Sequence, residues 1–490
     1  MLPNKVTVIK RYEYFMTPLY INELGVDSTK VEGASDIPVA AAKPRRSRST
    51  RCVVGGAHAL VLRVSSLFGL APLKFEACDG GYYVTISSAM CIYSYILVTV
   101  LVILTISGLV AEIKVGVELA VRMSSTTSQI VSMCDILVVV LTAGAGVYGA
   151  PKRMRSMLKF MDSVASVDTS IGGKYSETTE RKICAILIAI LVFFSGLIID
   201  DICFYVIHAK KVGRQWDVLL NYIGFYLLWY IVMILELQFA FTALSVRVRF
   251  QAINDTLVLT AKKASMPMSA VEKTRSPASL NIFAISVASS DMQRAGNVNL
   301  LVDSHDDSDH DVIVSKSVGG EPRLLVSAGR AAEQLSKLHG ALCCAVRRVE
   351  HSYGLPLVVI LISTLLHLIV TPYFLIMEII VSTNRVHFLV LQFLWCVTHL
   401  LRLVIVVEPS HYTIIEGKRT RSLVCRLMSL TPTTGEFPAR LEVFCRQLML
   451  QTTSYMPMGM CTLDRPLVAS ILGAVTTYLV ILIQFQRYDT

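Results

Sequence analysis

Seven stretches of this chain are long and apolar enough to cross a bilayer, and nothing else in the sequence constrains the fold as strongly. A helix needs about 20 mostly apolar residues to span the hydrocarbon core. The stretches are roughly Ile86 to Val110, Thr126 to Tyr148, Ile183 to Ile207, Val218 to Leu244, Tyr353 to Val381, His387 to Val407 and Arg465 to Phe485. With 490 residues that are 53% hydrophobic and only 17% charged, the chain is far too apolar for a soluble protein of its length. The expected fold class is an all-α membrane protein with seven transmembrane helices.

Lys and Arg in short loops are retained on the cytoplasmic side, so their distribution sets the expected orientation. The second loop carries Lys152, Arg153, Arg155, Lys159, Lys174, Arg181 and Lys182, and the sixth carries Lys418, Arg419, Arg421, Arg426, Arg440 and Arg446. The first loop has only Lys114 and Arg122, the third Lys210, Lys211 and Arg214, and the fifth Arg385. A basic run, Lys43-Pro44-Arg45-Arg46-Ser47-Arg48, precedes the first span and agrees with the basic loops. The N-terminus is therefore expected in the cytosol and the C-terminus outside. The net charge of +10 follows from this topology, so no nucleic-acid partner is called for.

Residues 1–50 are polar and basic, as in a flexible cytosolic leader, and contain no apolar run of the kind a signal peptide needs. Residues 51–85 form an interfacial segment. There Val53 to Leu73 is apolar but broken by Gly55, Gly56, Arg63 and Pro72, and is expected as an interfacial or partly inserted helix. Helices one to four occupy 86–260, and a disordered cytosolic insert is expected over 261–330. Its centre, Asp303 to Asp311, mixes Asp with His305 and His310. It lacks the Gly and terminal Glu of a calcium loop, so a solvated insert is expected and no metal.

Residues 331–407 hold spans five and six, preceded by a cytosolic extension in which Leu335, Leu338, Leu342, Val346 and Val349 recur at helical spacing. Leu244 to Leu257 extends span four in the same way. Cytosolic helices fill 408–462, from Glu416 to Leu430 and from Arg440 to the stop near Pro457 and Gly459, ahead of the last helix in 463–490. These elements with apolar faces read as an anchor region for assembly. The 12 cysteines are scattered without a CxxC pair, as expected of reduced thiols.

Gly144-Ala145-Gly146-Val147-Tyr148-Gly149 has the spacing of a dinucleotide loop but sits inside an apolar span, so close helix packing is the expectation. No Walker A, HExxH or GxSxG pattern occurs; neither an enzyme nor a cofactor is expected. Ionisable residues in spans are costly and mark function or internal pairing. Here they are Asp135, Asp200, Asp201, Glu236, His367 and Arg402. Towards the outer ends lie Arg214, Trp216, Asp217 and Asn221 before and in span four, Thr371 and Tyr373 in span five, and Gln392, Trp395 and Thr398 in span six. Gln392 and Trp395 share a helical face. Aromatic plates beside amide and carboxylate groups suit a polyhydroxylated ligand, while an interfacial aromatic belt accounts for the Trp residues but not for the Gln and Asn.

The last span ends Thr477-Tyr478, five apolar residues, then Gln484-Phe485. This resembles the carboxy-terminal TYhhhhhQF motif of the insect gustatory receptors. Leu67-Phe68-Gly69-Leu70-Ala71-Pro72 is similar to their amino-terminal segment, Leu335 with Leu338-His339 and Tyr353-Gly354 to the approach to their fifth span, and Glu416 with Thr420 to their sixth loop. The likeness covers most of the chain beyond the leader; the basic leader and acidic insert depart from the compact family pattern. Within the family, Thr462-Leu463-Asp464 and Thr476 to Phe485 look most similar to the fructose-sensing branch, and Gln392 with Trp395 matches its pocket residues.

The resemblance implies a ligand-gated, non-selective cation channel in the plasma membrane of chemosensory neurons. It would be a homotetramer, with span seven of each subunit lining one pore. Ile481, Gln484 and Phe485 would line that pore, with Phe485 as an apolar constriction and Gln484 offering its amide to ions on opening. The implied partners are a small-molecule tastant, a monosaccharide first, permeant cations and membrane lipid. A bitter or other tastant is the alternative ligand. A G-protein-coupled receptor is the rival class, opposed by the charge asymmetry and the lack of Asp-Arg-Tyr after span three. A transporter is opposed by the lack of an internal repeat.

Overall fold

The computed structural model describes residues 52–78, 81–115, 126–171, 174–263, 312–316, 322–381, 386–431 and 435–489. The leader and the Asp303 to Asp311 run lie outside the described residues, as does the side chain of Phe485.

Seven helices are long and apolar enough to span a membrane. They are α2 (Ser88–Val115), α3 (Thr126–Tyr148), α5 (Lys174–Lys210), α6 (Gln215–Lys263), α7 (Ala328–Val381), α8 (Val386–Leu430) and α10 (Arg465–Asp489). At 1.5 Å rise per residue, the 49 residues of α6, 54 of α7 and 45 of α8 run to about 65–80 Å, more than twice the roughly 30 Å hydrocarbon core. All three project at the same end. There they meet α4 (Ala150–Ile171) and α9 (Glu436–Leu450), neither of which spans. We refer to this as the long-helix end; the opposite, short-loop end carries the turn at 211–214 between α5 and α6.

The spans place α6 at the centre, packed against α2, α3, α5, α7 and α8. Small residues allow the closest approach. A Cβ on Gly108 of α2 would stand 2.1 Å from the Asn221 carbonyl oxygen of α6, so the two backbones touch there. Gly108→Leu is expected to force α2 off α6 and to remove most of the monodisperse protein on size exclusion in detergent. Gly196→Ala, with open space around its Cβ, is expected to leave the profile unchanged. Gly146 likewise packs on Leu235 of α6 and on Leu70, the helix-packing role expected for its glycine run.

The segment expected as one interfacial helix is more elaborate. Strand β1 (Cys52–Val54) leads into α1 (Gly56–Leu67), then β2 (Leu73–Cys78) and β3 (Gly81–Ile86), giving an antiparallel sheet of order β1-β3-β2. Helix α1 stops because Gly69 takes φ +74°, and a Cβ there would press on Ser94 of α2 at 3.2 Å. The turn is held by Arg153 of α4, fully buried, which donates from Nη1 to Gly146 O at 2.7 Å and from Nη2 to Leu70 O at 2.9 Å. The Leu67 to Pro72 motif is thus the joint between α1, α3 and α4.

Two further features differ from expectation. The basic second loop folds as α4, burying Met154, Met157, Phe160, Met161, Val164 and Val167 on one face. Part of the insert is ordered: β4 (Val314–Lys316) pairs with β5 (Pro322–Leu324), and Ile313 N donates to Ser170 O of α4 at 2.8 Å. The fold is the seven-span helical class expected, with two small sheets added.

Beneath the spans, Arg249 of α6 joins four helices. It pairs with Asp168 of α4 (Nη2 to Oδ2, 2.6 Å), with Glu180 of α5, and with Ser245 one turn back (Nη1 to Oγ, 2.6 Å). His58 of α1 completes the set, with Nδ1 3.3 Å from Glu180 Oε2. Burial pushes the Asp168 carboxyl above its ordinary value, although the Arg249 guanidinium pulls the other way.

Candidate functional site

The strongest concentration of polar and aromatic chemistry lies inside the bundle, where α6, α7 and α8 meet. Glu236 of α6 and Arg402 of α8 are both fully buried. Arg402 donates from Nη2 to Glu236 Oε1 at 2.6 Å and from Nε to Oε1 and Oε2 at 3.1 and 3.2 Å. This fork satisfies two charges that neither hydrocarbon nor protein interior would hold singly. The Arg402 guanidinium also sits 4.5 Å from the centre of the Trp229 ring.

A second pair, less deeply buried, lies beside it. His367 of α7 has Nε2 2.7 Å from Asp135 Oδ1 of α3, while its Nδ1 faces the Ser363 carbonyl, so the ring is held from both sides. His399 of α8 stacks on His367, with centroids 4.7 Å apart, and Trp395 stacks on His399 at 5.7 Å. Phe194 of α5 meets both Trp229 and Trp395. Gln392, Trp395, His399 and Arg402 follow one another at three- and four-residue steps, so they form one face of α8 that runs from half-exposed amide to buried guanidinium.

Towards the short-loop end this column continues along α5. Asp201 is buried and accepts a hydrogen bond from Tyr226, one turn above Trp229. A cleft between α5 and α6 is lined there by Tyr205, Tyr222 and Tyr226 with Ile202 and Val218. Asp200, the neighbouring carboxylate, faces His387 at 3.3 Å, and Phe204 packs on His387 and Phe388, joining α5 to α8.

The residues singled out from the sequence therefore fall in different places. Trp395 and Thr398 are buried at the column, with Gln392 half-buried on the Trp395 face. Thr371 and Tyr373 are half-buried on α7, one and one and a half turns beyond His367. Arg214, Trp216, Asp217 and Asn221 do not join them. Gln215 begins α6 fourteen residues before Trp229, about 21 Å at 1.5 Å per residue. Arg214 instead pairs with Glu112 of α2 at 3.3 Å and with Asp217 at 3.8 Å. Asn221 lies at the α2 contact beside Gly108, and Trp216 is 69% exposed, as an interfacial Trp would be. A single outer pocket holding all nine residues is not what the fold builds. Conversely, Phe194, Trp229, His399 and Tyr226 were missed. The repeat that starts at Gln392 and Trp395 runs on through His399 to Arg402, and would have led to His399.

On α10, Ile481 is exposed, as is Gln484. The helix packs on α7 and α8 along one side, and 11% of its most apolar stretch is buried against 28–67% for the other spans.

Seven apolar helices around a buried, ion-paired interior define a multi-pass helical membrane protein. Residues 58–488 match the family model described as 7tm Chemosensory receptor, and the chain belongs to that family. Among curated relatives, it is similar to the gustatory receptor for sugar taste 43a of Drosophila melanogaster, 28% identical over 435 residues, covering 87% of this chain and 97% of that protein. Putative gustatory receptor 28a of the same fly is 29% identical over 165 residues, covering 32% of this chain and 36% of that one. Among solved structures, the olfactory receptor OR5 of Machilis hrabei superposes with a TM-score of 0.55 at 10% identity, both in complex with eugenol and at 11% identity without it. The match covers 87% of this chain and 97% of that one. That likeness establishes the fold.

Proposed function

We propose that the chain is a sugar-gated, non-selective cation channel of chemosensory neurons, with fructose the first ligand to test. The observation that carries this reading is the near full-length similarity to a receptor for sugar taste. The column on α5, α6 and α8 supports it chemically. Trp395 supplies a flat apolar plate for a sugar's CH face, and Gln392, Thr398 and the α7 residues Thr371 and Tyr373 supply donors and acceptors. Arg214, Trp216, Asp217 and Asn221 belong to the approach to this site rather than its floor.

In this reading the N-terminus lies in the cytosol and the C-terminus outside, and the long-helix end forms the cytosolic anchor of a homotetramer. The sparse cover on α10 supports a role between subunits, where Ile481, Gln484 and Phe485 would line a shared pore. Pro356 and Pro372 interrupt the hydrogen-bond ladder of α7, giving it two points at which to bend between the ligand site and α10. Sugar favours the open state only by its differential affinity for it. In cells expressing this chain alone, fructose is expected to evoke a cation current, with other sugars weaker. A purified protein that runs as a monomer, with no conductance opened by any sugar or bitter compound, overturns the channel reading.

A further inference from the structure

The sequence offers no CxxC pair, yet the fold brings two thiols together from residues twenty apart. Cys425, on the long-helix end of α8, and Cys445, on α9, have their sulfurs 3.8 Å from one another. Cys425 is exposed, whereas Cys445 is 5% exposed and faces α8. Other close cysteine contacts in this region are of another kind: Cys343 faces His339 and Thr453, and Arg347 donates to the Cys344 sulfur.

Arg421 stands one turn before Cys425 on the same helix and donates from Nη2 to Leu448 O of α9 at 2.6 Å, so its guanidinium lies over the same α8–α9 seam. Arg426 and Arg446 flank the two cysteines in sequence. Burial pushes the Cys445 thiol up, whereas Cys425 is open to solvent and to a dissolved oxidant. Closing the 3.8 Å gap to the roughly 2 Å of an S–S bond requires the two sulfurs to approach by about 1.8 Å.

We propose that Cys425 and Cys445 form a reversible, peroxide-driven disulfide that fastens α9 to α8. The inference rests on the reading above only in placing this end in the cytosol, where disulfides are characteristically transient and redox-sensing. The exposed Cys425 thiolate attacks one oxygen of hydrogen peroxide. The O–O bond breaks, a sulfenic acid forms, and hydroxide leaves with a proton as water. The Cys445 sulfur then attacks the sulfenic sulfur. The S–O bond breaks, and the departing hydroxyl takes the Cys445 proton as a second water. Two thiols lose two electrons and peroxide gains them.

Trypsin provides a direct assay. Cleavage after Arg421 and Arg426 releases residues 422–426, and cleavage after Arg440 and Arg446 releases residues 441–446, each with a single cysteine. Full-length receptor in membranes, treated with hydrogen peroxide and then alkylated, is expected to yield these two peptides linked, two hydrogens lighter than their sum. Dithiothreitol should separate them. Cys425→Ser and Cys445→Ala are each expected to abolish the linked species, and Cys425→Ser, at an exposed position, keeps the test open where the buried substitution disturbs folding. Recovery of both peptides unlinked after treatment, whether as free thiols or as separate sulfinic acids, overturns the proposal. So does linkage of Cys425 to any other cysteine. Absence of any sugar-evoked current, with the linked peptide present, would instead count against the channel reading alone.

Discussion

Arg402→Met, with Glu236 left in place, is expected to remove most of the folded receptor. Both side chains are fully buried, and the three hydrogen bonds of the Arg402 fork are the contacts that neutralise the Glu236 carboxylate. Deleting one partner of such a pair costs about 3–5 kcal/mol, because the survivor is an uncompensated buried charge. Total stabilities of about 5–15 kcal/mol leave little margin for that. Glu236→Gln should be milder, since an amide oxygen still accepts from the guanidinium. The double change Arg402→Met with Glu236→Met should recover much of the loss, because no charge is then stranded. A thermal melt in detergent of the parent, Arg402→Met, Glu236→Met and the double variant tests this as a double-mutant cycle. Equal destabilisation by the single Arg402 and the double variant would show that the fork does not govern stability here.

That pair also shows what the sequence disclosed. Hydropathy located every span, since length and apolarity are local properties. It also identified Glu236, Arg402, Asp135 and His367 as residues that a bilayer would tolerate only with partners. Which partner each finds was not legible, because Glu236 and Arg402 are 166 positions apart and their meeting depends on how α6 and α8 cross. The same limit hid the Arg249 junction, whose carboxylates come from Asp168 on α4 and Glu180 on α5, in a region that charge counting treats as a basic loop. Helix α4 itself was readable from Met154, Met157, Met161 and Val164 at three- and four-residue spacing, but its basic residues drew attention to topology instead. The pocket divided for a geometric reason. Aromatic and polar residues near span ends look alike in sequence whether they face lipid or a neighbouring helix, and only burial separates Trp216 from Trp395.

This separation makes the two tryptophans the sharpest test of where a ligand sits. Trp395 is 9% exposed and bridges Phe194, Trp229 and His399, whereas Trp216 is 69% exposed. If sugar stacks within the column, Trp395→Ala should raise its half-maximal concentration at least tenfold, about 1.4 kcal/mol, or abolish the response at surface levels matched to the parent. Trp216→Ala should leave it within about twofold, less than 0.5 kcal/mol of binding. Trp395→Phe preserves an aromatic plate and most of the packing, so it is expected to keep folding while shifting potency in the same direction by less. The opposite ranking, with Trp216 decisive and Trp395 silent, would move the site to the Arg214 and Glu112 contact between α2 and α6. Equal loss of surface protein for Trp395→Ala and Trp395→Phe would assign this ring to packing of α5, α6 and α8. The half-exposed Gln392 discriminates further, because Gln392→Ala removes an amide from the same face without opening the buried stack. A potency loss there, at normal surface expression, requires that the ligand itself reach α8.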